Sequence, residues 1–378
     1  MTKTKTYADI VVIGNGTAAA GAVHALNRHI IESGSGLTVL VLEAKTKEDI
    51  AGQIPELNAR VTFPYEMAEQ FPGIEKTVIN TYNRTAFYSP RAKAVKNLPP
   101  GRVSLVDTDK LVTLLESNLQ PSIRIKHNKQ VCNAAYVDYD GRKLIKLTME
   151  YPFKDEKVFE TTDEVYARAV IDCSGTGSVM LDKMQGYRHD SDIVCGVLAF
   201  KVINAKIPDN KEVSLGLDDK MSHGAGIWAY HNGGQISSEL KTYLEKWFAN
   251  TQNKKILDMI SGKTADDFAG TISDVGVSSI SAYARAQHYR SNLERQAEDI
   301  FSNFAIYRDM FRGAAVIPGS AFYKPSPVLQ PVSKMAGEGY ILVGDSAGHA
   351  TPYIGEGIRP GIDMGLAAGR IIFEAIAD

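Results

Sequence analysis

Six residues near the N-terminus, Gly14-Asn15-Gly16-Thr17-Ala18-Ala19, have the types and spacing to hold a phosphate group. They follow a short apolar run, Asp9 to Ile13, and open a small-residue stretch reaching to about Ile31. In such a G-x-G-x-x-A turn the first glycine permits a tight bend. The second lets a pyrophosphate come close to the backbone. Ala19 keeps the helix near the strand, while the N–H groups around Thr17 and Ala18 face the phosphates. Glu43 closes the next apolar run, LTVLVLE, where a carboxylate accepts both ribose hydroxyls of an adenosine. The gap from Gly16 to Glu43 is longer than the usual ~20 residues, and ESGSG accounts for the excess as a loop insertion. The pattern denotes a dinucleotide, FAD or NAD rather than NADP; a helix-packing turn without ligand is the plainer alternative.

A second constellation, Tyr340 to Gly357 (YILVGDSAGHATPYIGEG), discriminates between these cofactors. A strand would deliver Gly344 and Asp345, whose carboxylate suits the ribityl chain of a flavin. The turn from Pro352 through Gly355, Glu356 and Gly357 to Ile358 then starts a helix. Its N–H groups and dipole would stabilise negative charge at the N1–C2=O edge of a reduced flavin. NAD dehydrogenases have no need of this second site, so FAD is the cofactor expected.

Together these strings resemble the FAD-dependent oxidoreductases that include geranylgeranyl reductases, flavin halogenases and aromatic hydroxylases. GDSAGHATPYIGEGI is most similar to the geranylgeranyl reductase version, and Ile317 to Ser320 (IPGS) resembles the strand that precedes it there. The resemblance implies Glu43 on the adenosine ribose, Asp345 on the ribityl chain and Gly355 to Gly357 against the isoalloxazine. It adds Gly175, because Ile171-Asp172-Cys173-Ser174-Gly175 resembles the loop passing near the adenosine and ribityl region. Aromatic hydroxylases carry Asp-Gly where this chain has Ser174-Gly175. Gly52 to Pro55 resembles a halogenase loop, yet Ala59 and Arg60 stand where halogenases need a lysine. The W-x-W-x-I-P signature is absent, the only tryptophans being Trp228 and Trp247. No cysteine lies between Glu43 and Cys132, where archaeal geranylgeranyl reductases often have one, and Thr108 replaces a common arginine. The likeness therefore implies FAD and leaves the substrate open.

Several side chains could act on that substrate. His349, directly after GDSAG, could serve as acid or base near neutral pH, or simply pack against its loop. Tyr353 could face the ring and donate a proton, with a packing role equally open. In GIWAYHNGG, period-two alternation puts Trp228 and Tyr230 on one face, as a pocket wall or a half-buried sheet face. Arg84, in TYNRTAFYSP, could hold an anionic substrate.

The elements that must position these groups imply an α/β fold: a Rossmann-like FAD-binding domain with an interwoven mixed or antiparallel β-sheet substrate lobe. Buried strands are expected at Asp9–Ile13, up to Glu43, at Ala169–Asp172 and before Gly344. Asp107 to Asn118 reads as an amphipathic helix capped by Asp107 or Thr108, with a hairpin turning at Asp140-Gly141 beyond it. Ala44 to Pro100 reads as cofactor-covering loops and an excursion into the second lobe. Residues 1–75, 100–186 and 320–378 would form the FAD domain, and 76–99 with 187–319 the substrate lobe. A formal net charge of −2 over 378 residues gives no footprint for nucleic acid. Three cysteines without a CxxC pair indicate neither a disulfide framework nor a metal site. With no apolar run of bilayer length and no signal peptide, the chain reads as cytoplasmic, with peripheral membrane contact left open. The expected activity is FAD-dependent oxidoreduction of a small or lipophilic substrate by hydride transfer to or from a carbon–carbon bond. NAD(P)H acting transiently, or a partner reductase, would supply electrons. A flavin-dependent monooxygenase or halogenase, and a non-redox or structural flavin protein, are the alternatives.

Overall fold

The computed structural model describes residues 5–46, 60–64, 71–89, 93–98, 103–150, 163–187, 193–207, 212–217, 226–235, 237–249, 271–282, 297, 304–317, 319–327, 332, 334–350 and 357–377. Three sheets organise them.

The first sheet holds the nucleotide-type motifs. Its order runs Ala336–Gly337, Tyr340–Leu342, Asp163–Asp172, Lys5–Ile13, Val39–Leu42, Ile123–Lys126. Lys5–Ile13 is central and parallel to both Asp163–Asp172 and Val39–Leu42. One edge of Asp163–Asp172 is shared: its first half pairs antiparallel with Arg142–Glu150, and its end pairs parallel with Tyr340–Leu342. Ile13, Leu42, Asp172 and Leu342 consequently finish side by side. The DIVVI run is apolar on both faces because both are covered. Ile10 and Val12 pack under the helices Thr17–Ser33 and Ile358–Ala377, while Val11 and Ile13 join the core beneath Arg142–Glu150 and Val179–Gln185.

Those two terminal helices touch backbone to backbone. Gly361, Gly365 and Gly369 recur every four residues and so form one ridge. A Cβ at Gly365 would overlap the Ala18 carbonyl, and one at Gly369 would lie 2.5 Å from the Ala22 carbonyl oxygen. Small residues at both ends of the chain thus bind its termini into a single layer.

The second sheet runs Ala315–Val316, Ile193–Ile203, Thr271–Ala282, Gly226–Gln235, Glu212–Leu217, Arg84–Tyr88, Lys93–Asn97, with Phe322–Pro327 also on Ile193–Ile203. It is antiparallel except where Arg84–Tyr88 meets Glu212–Leu217. The expected domain boundary at 320 therefore meets a strand, Phe322–Pro327, that lies in this sheet. One face buries Leu198, Phe200, Ala229, Val275 and Val277 under Ala305–Phe311. The other face carries Val197, Ala199 and Lys201 beside Gly276, Asp274, Trp228 and Tyr230. A small antiparallel sheet, Arg60–Pro64 with Val103–Asp107 and Val78–Tyr82, lies against it through Tyr82 and Tyr230.

The sequence reading is corrected between Ala44 and Pro100. Four short strands, Arg60–Pro64, Val78–Tyr82, Arg84–Tyr88 and Lys93–Asn97, interrupt what reads as loop, split between two sheets and too brief for a clear alternation. The expected hairpin does turn at Asp140-Gly141, both with positive φ. Asp107 caps the helix Thr108–Glu116, accepting from the Asp109 and Lys110 N–H groups.

Candidate functional site

The first glycine-rich loop leaves the sheet at Gly14, with φ +89°. An added Cβ there would stand 2.8 Å from the Cys173 carbonyl oxygen, so both conformation and close approach require glycine. Gly14 N–H donates to the Leu42 carbonyl (2.8 Å), fixing the turn on its neighbour strand. Asn15 N–H donates to Glu43 Oε2 and Lys45 N–H donates to Glu43 Oε1, both at 2.8 Å. A carboxylate has about four acceptor positions, so Glu43 is aimed and still has capacity for hydroxyl donors. Asn15 is held in turn by its side-chain amide donating to Glu116. Helix Thr17–Ser33 begins at Gly16 with no side-chain cap and no acidic residue in its first turn. A Cβ at Gly16 would meet nothing within 4 Å. Thr17 and Ala18 thus open an uncapped, uncrowded helix start, while Ala19 is buried behind it.

The second glycine-rich segment arrives alongside. Gly344–Ala347 forms a single 3-10 turn, and a Cβ at Gly344 would sit 3.2 Å from the Ala18 Cβ. Asp345 is buried, with Oδ1 3.0 Å from the position of a Cβ on Gly357. Gly357 accepts from Gly361 N–H (3.0 Å) as helix Ile358–Ala377 begins. The structure therefore brings together Gly14, Gly16, Glu43, Gly344, Asp345, Gly357 and Ile358 at one sheet edge. Pro352, Tyr353, Gly355 and Glu356 lie outside the described residues.

Sequence reasoning missed what holds the third loop. Asp172 is 0% exposed. Its carboxylate accepts from Ser174 N–H (2.9 Å), Ser174 Oγ (2.5 Å), Ser178 Oγ (2.6 Å) and Met180 N–H (3.1 Å). Ser346 Oγ accepts from Gly175 N–H and donates to the Gly175 carbonyl, each at 3.0 Å, which locks Gly175 to the C-terminal turn. The signal was available as serines two and six residues after a strand-ending aspartate. Desolvation, reinforced by the Asp172 charge, holds the Cys173 thiol well above its ordinary pKa, so it stays protonated. Beside this loop, Val131, Cys132, Thr176, Gly177 and Lys183 are among the residues lining an open cavity of about 420 Å³.

His349 sets its Nε2 3.0 Å from the Met335 sulfur. Burial lowers its pKa, against a weaker opposing pull from Asp345. The next residue, Ala350, packs instead against Val197 and Trp228. A Cβ on Gly276 would collide with the Trp228 ring, so glycine there gives the indole its place on the sheet. Tyr230 shares that face, edge-on to Tyr82 at 5.8 Å between centroids. The structure does not bring Arg84 to them. Arg84 alternates in step with Ala86 and Tyr88, whose side chains join the core on the opposite face.

Two charged residues that the sequence reading passed over stand beside Tyr230. Lys201 (4% exposed) is ion-paired to Asp274 Oδ1, and Asp274 (8% exposed) keeps Oδ2 buried without a hydrogen-bond partner. Lys201 is the lone charge in the apolar run Ile193–Ile203, a legible clue, whereas Asp274 stands in the mixed strand Thr271–Ala282, which offers none. Tyr82 donates to the His231 carbonyl, and its phenol pKa is raised by burial and then by the Asp274 charge.

This architecture has solved relatives. A geranylgeranyl bacteriochlorophyll reductase-like protein from Thermoplasma acidophilum aligns with a TM-score of 0.66 and 15% identity, over 99% of this chain and 79% of that one. A myxobacterial FAD-dependent halogenase gives 0.61 and 14%, over 98% and 76%. A p-nitrophenol 4-monooxygenase from Pseudomonas putida DLL-E4 gives 0.63 and 14%, over 99% and 81%. The chain has the fold of this class of flavoprotein oxidoreductases. No family model and no curated protein sequence matches it. Among the described residues no helix is long and apolar enough to cross a membrane, and no cluster of metal-ligating side chains occurs.

Proposed function

We propose that the chain is an FAD-dependent oxidoreductase whose substrate lies between the cofactor edge of the first sheet and the Trp228–Tyr230 face of the second. The observation that carries this reading is the meeting of Ala18, Gly344 and Gly361, from opposite ends of the sequence, at one strand-end edge. Such an edge, outside the carboxyl ends of parallel strands, is where open α/β sheets bind nucleotides.

The residues fit FAD. Glu43 would hold the adenosine ribose, and the uncapped helix start at Gly16 to Ala18 would face the pyrophosphate. The adenine would continue toward the cavity beside Val131 and Thr176. Asp345 would accept from the ribityl hydroxyls, and the helix opening at Gly357 and Ile358 would present its positive end to the pyrimidine edge of the ring. When bound, FAD supplies two-electron hydride chemistry. The Trp228 face would orient the substrate, Ser346 keeps the Gly175 loop in register with the C-terminal turn, and Asp172 fixes the neighbouring Ser174. Hydride transfer to or from a carbon–carbon bond is the reaction we favour, by the likeness of the C-terminal string to geranylgeranyl reductases. NAD(P)H or a partner reductase would serve as electron donor.

Spectroscopy of the purified protein tests this. Equimolar FAD should remain bound or be taken up, and Asp345→Ala should weaken retention about tenfold or more, as loss of a charged acceptor implies. A protein that neither holds nor takes up FAD would sink the proposal. Anaerobic mixing with NADH or NADPH identifies the donor, and substrate-dependent oxygen consumption would move the reaction to the monooxygenase alternative.

A further inference from the structure

We propose that Asp274 accepts a hydrogen bond from a neutral hydroxyl or N–H group of the substrate, with Lys201 holding the aspartate in place. This deepens the oxidoreductase reading and rests on it for the location of the substrate.

Position comes first. Lys201, Asp274 and Tyr230 are register neighbours in one row of the second sheet. The adjacent row on the same face is Ala199, Gly276 and Trp228, and Trp228 packs against Ala350 at the cofactor edge. Rows on one face are two residues apart, about 7 Å. A substrate lying along Trp228 from the cofactor edge would therefore end at Asp274.

Chemistry comes second. Buried carboxylate oxygens in folded proteins almost always have a donor, and one without calls for an explanation. The ion pair with Lys201 uses Oδ1 and leaves Oδ2 unmatched. The Tyr82 hydroxyl, close enough to feel the Asp274 charge, donates elsewhere, to the His231 carbonyl. A donor from outside the chain would complete the group, reaching Oδ2 by displacing the side chains that cover it. Because Lys201 balances the carboxylate, the pair is electrically neutral and favours a neutral donor over an ammonium ion. A carboxylate or phosphate would be repelled by Oδ2. Trp228, the half-buried aromatic of this face, suits a flat or unsaturated body attached to that donor. The substrate class is thus an unsaturated or aromatic alcohol, phenol or amide, not a bare hydrocarbon.

Matched probes test this: 4-propylphenol against 4-propylanisole, and geraniol against geranyl methyl ether. Binding is followed by flavin absorbance in FAD-loaded protein and by tryptophan fluorescence in FAD-free protein. In at least one pair the hydroxyl compound should bind about tenfold more tightly, the factor expected for a hydrogen bond to a charged acceptor. Asp274→Asn should shrink that preference to about twofold without changing FAD content. Should that variant fail to fold, Lys201→Met/Asp274→Leu replaces the pair by apolar groups of similar size and should abolish the preference. Equal affinities within both pairs, no binding by any probe, or a preference that survives these substitutions would overturn the proposal. The two readings fail separately. Hydroxyl preference without FAD uptake would sink the flavin reading alone, and FAD uptake without preference would sink this one.

Discussion

The proposed cofactor edge of the first sheet and the inner face of the second are built in opposite ways. At the edge, geometry is set by the main chain: Gly14 yields to the Cys173 carbonyl, Asn15 N–H holds Glu43, and Gly365 admits the Ala18 carbonyl. On the inner face, the groups proposed to meet substrate are side chains from separate strands, Lys201, Trp228 and Asp274, with Tyr82 packed behind them from a third sheet. A backbone-built site tolerates few residue types at fixed spacings and so leaves a motif. A site built from side chains on paired strands can be re-chosen residue by residue for a new substrate while the edge stays intact. That division explains how one fold can serve reductases, halogenases and monooxygenases alike.

The largest expected effect probes the edge as architecture. Gly365→Leu should destabilise the protein by about 3 kcal/mol, the upper range for overpacking, because the added atoms meet backbone that cannot rotate aside. Gly16→Ala is the counterpart. With nothing within 4 Å of the new methyl group, it should leave the chemical-denaturation midpoint nearly unchanged while lowering FAD affinity. If both glycines proved equally costly to stability, the edge would be a packing device and not a ligand cradle.

Next in size is the tie between the third loop and the C-terminal turn. Asp172→Asn keeps the shape but replaces one carboxylate oxygen by a donor that faces the donors Ser178 and Met180, or Ser174. A loss of about 2 kcal/mol in urea denaturation is expected, the cost of a buried mismatch of this kind. FAD retention should fall as well, since Asp172 fixes Ser174 directly beside Gly175. A stable variant with normal flavin content would show that the loop is fixed by packing alone.

The same contrast accounts for what could be read from the sequence. Gly14 and Gly344 were legible because the backbone beside a strand end takes positive φ there, and Gly16, Glu43 and Asp345 because they follow strand ends within three residues. The Asp140-Gly141 turn and the Asp107 cap were legible for the same reason. Arg84 was singled out from its chemistry, yet its parity with Ala86 and Tyr88 puts it on the opposite face, a matter decided only by strand pairing. Lys201 and Asp274 were passed over because their partnership depends on a register across 73 residues. The strands between Arg60 and Asn97 escaped notice because each is short and the three-stranded and larger sheets divide them.

The smallest predicted effect concerns His349, at the junction of the two regions. Its folded-state pKa lies below the ordinary value because burial penalises the imidazolium, Asp345 compensating only in part. The unfolded chain therefore takes up the proton first as pH falls, and stability drops as pH passes below about 6.5 toward the folded value. His349→Phe removes this contribution, so its denaturation midpoint should fall less than that of the native protein between pH 7 and pH 5. The ring is partly exposed, so solvent screening keeps the difference small. Turnover is the sharper readout. With Nε2 against Met335 and the neighbouring Ala350 packed with Trp228, the substitution should leave the pH profile of turnover unchanged. A lost ionisation in that profile would instead make His349 an acid or base of the reaction and carry the cofactor edge into the chemistry, against the division drawn between edge and face.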